Sequence, residues 1–174
     1  LVYIQNLTNE KIPLTLETEA DKQAAAAKTV KIHFPFAKVN GYFDAQTGTQ
    51  AEFEEVLRNA KYQDIDVLGK YVHITWTVND YNTPILEVMD LMDEVVRLEW
   101  DFMGLFKYNK LFGNRMYLHV EYNSKNPYSA ANHTAYLPSY KGVFCTTTEL
   151  KSRVWVLGHE IGHSNQTRPG LKWT

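Results

Sequence analysis

Leu157-Gly158-His159-Glu160-Ile161-Gly162-His163-Ser164-Asn165-Gln166 carries two histidines four positions apart. On an α-helix that spacing puts both imidazoles on one side, about one turn from each other. Two imidazoles so placed can reach one Zn²⁺ at roughly 2.0–2.1 Å each. Glu160 stands next to the first of them and can reach a metal-bound water rather than the metal. There it can take the water's proton and later pass it to a leaving amine. Zinc lowers that water's pKa toward about 7 and polarises the scissile carbonyl. The stretch therefore predicts a zincin-type active-site helix, with His159 and His163 as metal ligands, Glu160 as catalytic base and Zn²⁺ as cofactor.

Composition alone produces a His-Glu-x-x-His pattern in roughly one chain in a hundred of this kind. Here the pattern also falls on a segment that reads independently as an amphipathic helix. It starts near Thr148-Glu149, carries Leu150, Val154, Leu157 and Ile161 inward, and ends at or shortly before Pro169-Gly170. Gly162 costs roughly 1 kcal/mol against Ala in a helix, which is natural where a backbone or a metal approaches closely. The third ligand separates zincin types. A metzincin needs Gly and then His at the third and sixth positions after the second His, where this chain has Gln166 and Pro169. A gluzincin takes a Glu from a following helix, yet no Asp or Glu follows His163. The expectation is a chain that stops before its third ligand, or else a ligand from upstream. Two imidazoles alone leave an open, exchangeable site, so the fragment is expected to bind zinc weakly or not at all.

Outward from this helix, Met116 to Tyr122 reads as a strand with alternating faces, and Asn123 to Lys141 as a long polar loop. Thr83-Pro84 opens a long helix running to about Tyr108, with Ile85, Met89, Met92, Val96, Met103 and Phe106 on one stripe. Val72 to Val78 is a β-branched strand and Thr49 to Ala60 a helix burying Phe53, Val56 and Leu57. Asn40-Gly41 signals a turn after a strand at Val30 to Phe34. Residues 1–18 suggest one or two short strands, and 19–28 a short helix or a connector. Residues 1–29 thus read as N-terminal strands and a connector. Strands first and helices later make an α+β fold, with a mainly antiparallel twisted sheet, a long helix and the zincin-type helix. Met116 to Tyr122 is the expected edge strand beside the cleft, where an extended substrate would pair.

The 174 residues carry a net charge of −2, so no basic field points to nucleic acid. No apolar run reaches the length of a membrane span. The single cysteine, Cys145, excludes an intrachain disulfide and has no neighbouring His to activate it, so a buried or half-buried thiol is expected. His33, His73 and His119 fall in strand patterns and His133 in the polar loop, all read as structural. Asp64-Ile65-Asp66 and the acids from Asp90 to Asp101 read as solvated faces.

Gly158-His159-Glu160-Ile161-Gly162-His163, Asn165-Gln166 and Pro169-Gly170-Leu171-Lys172-Trp173 resemble the M60-like (enhancin-type) peptidases. Val39 to Asp44, Val67 to Tyr71, Arg97 to Trp100 and Gly113 to Tyr117 are similar to Bacteroides-type members, and the resemblance covers about residues 30–174. It implies a gluzincin-like zinc endopeptidase of glycoproteins such as mucins, secreted or displayed on a bacterial surface, of which this chain is an incomplete catalytic domain. The resemblance implies that the third ligand is a Glu in a segment beginning shortly after the Trp, where this chain ends. A non-catalytic carbohydrate- or glycoprotein-binding module retaining a degenerate zinc helix is the rival reading. A zinc hydrolase acting on a non-peptide substrate would share the same helix.

Overall fold

The computed structural model describes residues 33–36, 38, 40–81, 84–130 and 133–166. The chain divides into residues 1–38 and 39–174, and every element below belongs to the second unit. The expected N-terminal strands and connector, positions 30–32 and the Pro169-Gly170 stop lie outside the described residues. His33 and Phe34 are described, and neither lies in a strand.

The order is β1 (Tyr42–Asp44), α1 (Gln50–Asn59), β2 (Asp64–Leu68), β3 (Val72–Thr77), α2 (Ile85–Phe102), β4 (Met116–Val120), β5 (Tyr128–Ala130), β6 (His133–Tyr136), α3 (Lys141–Cys145), α4 (Thr147–Ser152) and α5 (Val154–Ser164). Among the described residues, six strands make one sheet in the order β1-β2-β3-β4-β6-β5. β1 with β2, β3 with β4, and β4 with β6 run parallel, whereas β2 with β3 and β5 with β6 run antiparallel. The fold is thus a mixed α/β sheet, and the expected mainly antiparallel sheet is corrected. Strands first and helices later was the pattern read, whereas α1 and α2 fall between strands; within the sheet, β2 and β4 alternate buried with half-buried positions. Alternation reports that one face packs on a core, and says nothing of strand direction. Direction is set by α1 and α2, each a crossover between parallel neighbours.

The helices and one sheet face share one core. Ile65, Val67, Val72, Ile74, Trp76 and Leu118 from the sheet join Phe53, Val88, Met92, Val96, Leu157 and Ile161 from the helices. Trp76 stacks on Phe144 with ring centroids 4.3 Å apart, and its indole N–H donates to Asp80. α1 starts with a capping box, in which Thr49 accepts from the Glu52 N–H and the Glu52 carboxylate accepts from the Thr49 N–H. α2 ends at Phe102, short of the expected Tyr108. Gly104 at φ 75° lets its N–H reach the Asp101 carbonyl and the Leu105 N–H reach that of Trp100, a Schellman stop.

Four further expectations change. Met116 to Tyr122 holds an interior strand, β4, and among the described strands the edge beside α5 is β5, where Ser129 Oγ lies 2.6 Å from Ser164 Oγ. The stretch read as a loop from Asn123 contains the β5–β6 hairpin, too short in each strand for periodicity to register. The single last helix is two, because Arg153 at φ −122° and ψ 23° breaks it between α4 and α5. That break turns Val154 outward to 43% exposure. Asp64 and Asp66, expected as a solvated pair, sit in β2. Asp66 bonds Thr75 and His73, and Asp64 accepts from Tyr122 and Thr77.

Candidate active site

α5 is anchored by Leu157 and Ile161, both fully buried, and by the Tyr136 hydroxyl donating to the Leu157 carbonyl. His159 and His163 are left half-buried on the next face round, with Glu160 more deeply set at 9% exposure. The two imidazoles meet at right angles, with ring planes 84° apart and Nε2 atoms 3.1 Å from each other. Trp155, one turn earlier and 75% exposed, lies with its ring 5.3 Å from that of His159. Gln166 places its side-chain amide 2.8 Å from His163 Nδ1.

This donor pair fits a metal. Two nitrogens on a tetrahedral zinc at about 2.05 Å lie about 3.3 Å apart, against the 3.1 Å between these Nε2 atoms. Among the described residues, no group of three or more His, Cys, Asp or Glu could hold a metal. A third protein donor therefore has no counterpart within them. Gly162 does not make room for anything described, since a Cβ there would have no neighbour within 4 Å. Among the described residues, no backbone beyond its own helix comes close to that position.

Glu99 of α2 is a feature of the site's surroundings that sequence reasoning misses. Its place in the run from Asp90 to Asp101 suggests a solvated acid, yet its carboxylate faces α5, accepting 2.7 Å from Asn165 Nδ2. A Cβ on Gly158 would stand 3.4 Å from its Oε1, so the two helices approach closely here. Burial pushes Glu99 up to about 7, with the Asn165 bond opposing it. The signal was present: Glu99 follows Met92 by seven positions and Val96 by three, which places it beside the buried stripe. Asp93 departs from the solvated reading in a different way. Its carboxylate accepts from the backbone N–H groups of Lys70, Tyr71 and Val72, tying α2 to the β2–β3 turn.

The remaining histidines lie elsewhere. His73 and His119 alternate with core residues and so occupy the sheet face opposite the helices. His73 pairs with Asp66 at 3.1 Å, and His119 Nδ1 lies 2.9 Å from the Val120 carbonyl. His133 opens β6 rather than sitting in a loop, with its ring 5.0 Å from His119. Burial, then the neighbouring His119, lowers its pKa. Cys145 is buried, which pushes its thiol well above the usual range. No described helix is long and apolar enough to cross a membrane.

The sequence profile of the family described as Peptidase M60, enhancin and enhancin-like matches residues 38–174. No curated protein matches the chain in sequence. In fold it is similar to a metallopeptidase from Bacteroides thetaiotaomicron, at a TM-score of 0.67 and 20% identity, over 78% of this chain and 24% of that one. A metallopeptidase in complex with Tn antigen gives 0.68 and 20%, over 77% and 26%. The M60 catalytic domain of Clostridium perfringens ZmpC, in complex with the sialyl T antigen, gives 0.62 and 14%, over 77% and 30%. The chain thus spans 24–30% of the length of these structures.

Proposed function

The chain belongs to the peptidase M60, enhancin and enhancin-like family, and from that premise we propose that it carries the metal-binding helix of a zinc-dependent endopeptidase of glycoproteins such as mucins. The observation that carries this reading is the convergence of two Nε2 atoms, 3.1 Å apart, on a helix with a carboxylate next to the first. His159 and His163 would hold the zinc. Zinc supplies Lewis acidity, lowering the pKa of water toward about 7 and polarising a carbonyl. Glu160 accepts a proton from the attacking water at its carboxylate and delivers it to the departing amine nitrogen. Its near-burial limits competing bulk water around that carboxylate. β5, at the sheet edge beside α5, offers backbone groups for pairing with an extended substrate.

The substrate class is supported by two relatives in fold, which are described in complex with the Tn and sialyl T antigens. Such substrates are extracellular, which favours a protein that is secreted or displayed on a bacterial surface. Residues 30–174 would form the first part of the peptidase domain, after N-terminal strands and a connector in 1–29, with the third ligand supplied from outside the described residues.

The test is mucin cleavage by the natural protein at full length, compared with Glu160→Gln. Loss of cleavage with zinc retained is expected, and equal cleavage by the two refutes the proposal. The presence of only two donors among the described residues favours one rival, a binding module with a degenerate zinc helix. Glycan binding that survives His159→Ala, with no cleavage by the natural protein, would establish that rival instead.

A further inference from the structure

We infer that Gln166 is a positioning residue that sets the tautomer and ring orientation of His163. The inference rests on the proposed metal reading and goes beyond it to the group behind the ligand. A neutral imidazole carries one N–H. For Nε2 of His163 to offer its lone pair toward the position shared with His159, the proton must sit on Nδ1, which then needs an acceptor. The only hydrogen-bonding group at Nδ1 among the described residues is the Gln166 amide, 2.8 Å away.

That amide has two faces. With its nitrogen toward the ring it donates, which forces the proton onto Nε2 and blocks ligation. With its oxygen toward the ring it accepts from Nδ1–H and frees Nε2. The two orientations are related by a flip of the amide and share the same heavy-atom positions. Metal binding therefore selects the oxygen-inward orientation, and the bond then raises the basicity of Nε2.

The backbone delivers Gln166 to this position by a brace between helices. The Asn165 N–H caps α5 on the Ile161 and Gly162 carbonyls, both at 3.1 Å, and the Gln166 N–H reaches the His163 carbonyl at 3.4 Å. The Asn165 side chain is bound to Glu99 of α2, so the turn after His163 has little freedom to swing. His159 is held differently, by ring contact with Trp155. One ligand is thus oriented by a hydrogen bond and the other by packing.

The experiment titrates the metal-free natural protein, at full length, with Zn²⁺ against a chromophoric chelator. Wild type, Gln166→Leu and Gln166→Glu are compared. Gln166→Leu is expected to weaken zinc binding about 10–100-fold. Gln166→Glu, whose ionised carboxylate can only accept, is expected to bind as tightly as wild type or more so. Zinc affinity of Gln166→Leu within about twofold of wild type overturns the inference, since that is well below the usual effect of a lost second partner. So does equal weakening in both variants, which would mark a merely structural role. A wild-type protein that takes up no zinc overturns the metal reading itself, and this inference with it.

Discussion

Glu99→Gln removes a titrating carboxyl from between α2 and α5 while keeping its shape and its bond from Asn165. In the folded protein Glu99 is held at about 7, against an ordinary 4.5, chiefly by burial. The folded state therefore binds more protons than the unfolded state between those values. Glu99's contribution to stability is fully present below pH 4.5 and is lost as pH rises through about 7. A difference of about 2.5 pH units at about 1.4 kcal/mol each corresponds to about 3.5 kcal/mol. Glu99 is half-buried, so solvent relaxation trims this to about 2–3 kcal/mol. The assay is urea unfolding of metal-free wild type and Glu99→Gln from about pH 4 to about pH 8, taking the stability difference at each pH. Titration of every other group largely cancels in that difference. Moving from acid to alkaline pH, Glu99→Gln should gain about 2–3 kcal/mol on wild type. A difference flat to within about 0.5 kcal/mol across the range would refute the argument that desolvation governs this carboxyl.

Gly69→Ala should lower stability by about 1–3 kcal/mol. The new methyl would lie 2.6 Å from Asp93 Oδ2, and three backbone N–H groups keep that carboxylate from retreating. An unchanged urea midpoint would contradict this. Trp76→Ala, at a fully buried side chain stacked on Phe144, should cost about 3–5 kcal/mol. A loss under about 1.5 kcal/mol in denaturant titration would mean the sheet and helices close over the cavity. Gly162→Ala adds a methyl with no described neighbour within 4 Å. It should raise the stability of the metal-free protein by about 0.5–1 kcal/mol, as an ordinary helix position would. A measured decrease would reveal a close contact at that face.

Much of the local architecture was readable from residue order because it depends on neighbours a few positions apart. Thr49 to Ala60 reads as a helix with Phe53 on its inner face, and α1 spans Gln50–Asn59 with Phe53 buried. Val72 to Val78 reads as a strand and folds as β3. The spacing of His159 and His163 predicts imidazoles on one side of a helix, and α5 spans both. The errors fall where short range misleads. Leu150 and Val154 share a helical period, but Arg153 leaves helical geometry between them and Val154 turns outward. β5 and β6, three and four residues long, carry too few positions for a period to show.

By itself, then, the sequence determined a helix bearing two histidines and a glutamate in ligand-and-base spacing, because helical geometry is the same wherever such a segment sits. Tertiary structure alone decided that the sheet is mixed, since strand direction follows from which segments the crossovers bring together. It also decided the state of Glu99, whose proton affinity depends on burial against a helix 66 positions further along the chain. Desolvation is a property of surroundings, and surroundings are assembled only when α2 and α5 close on one another.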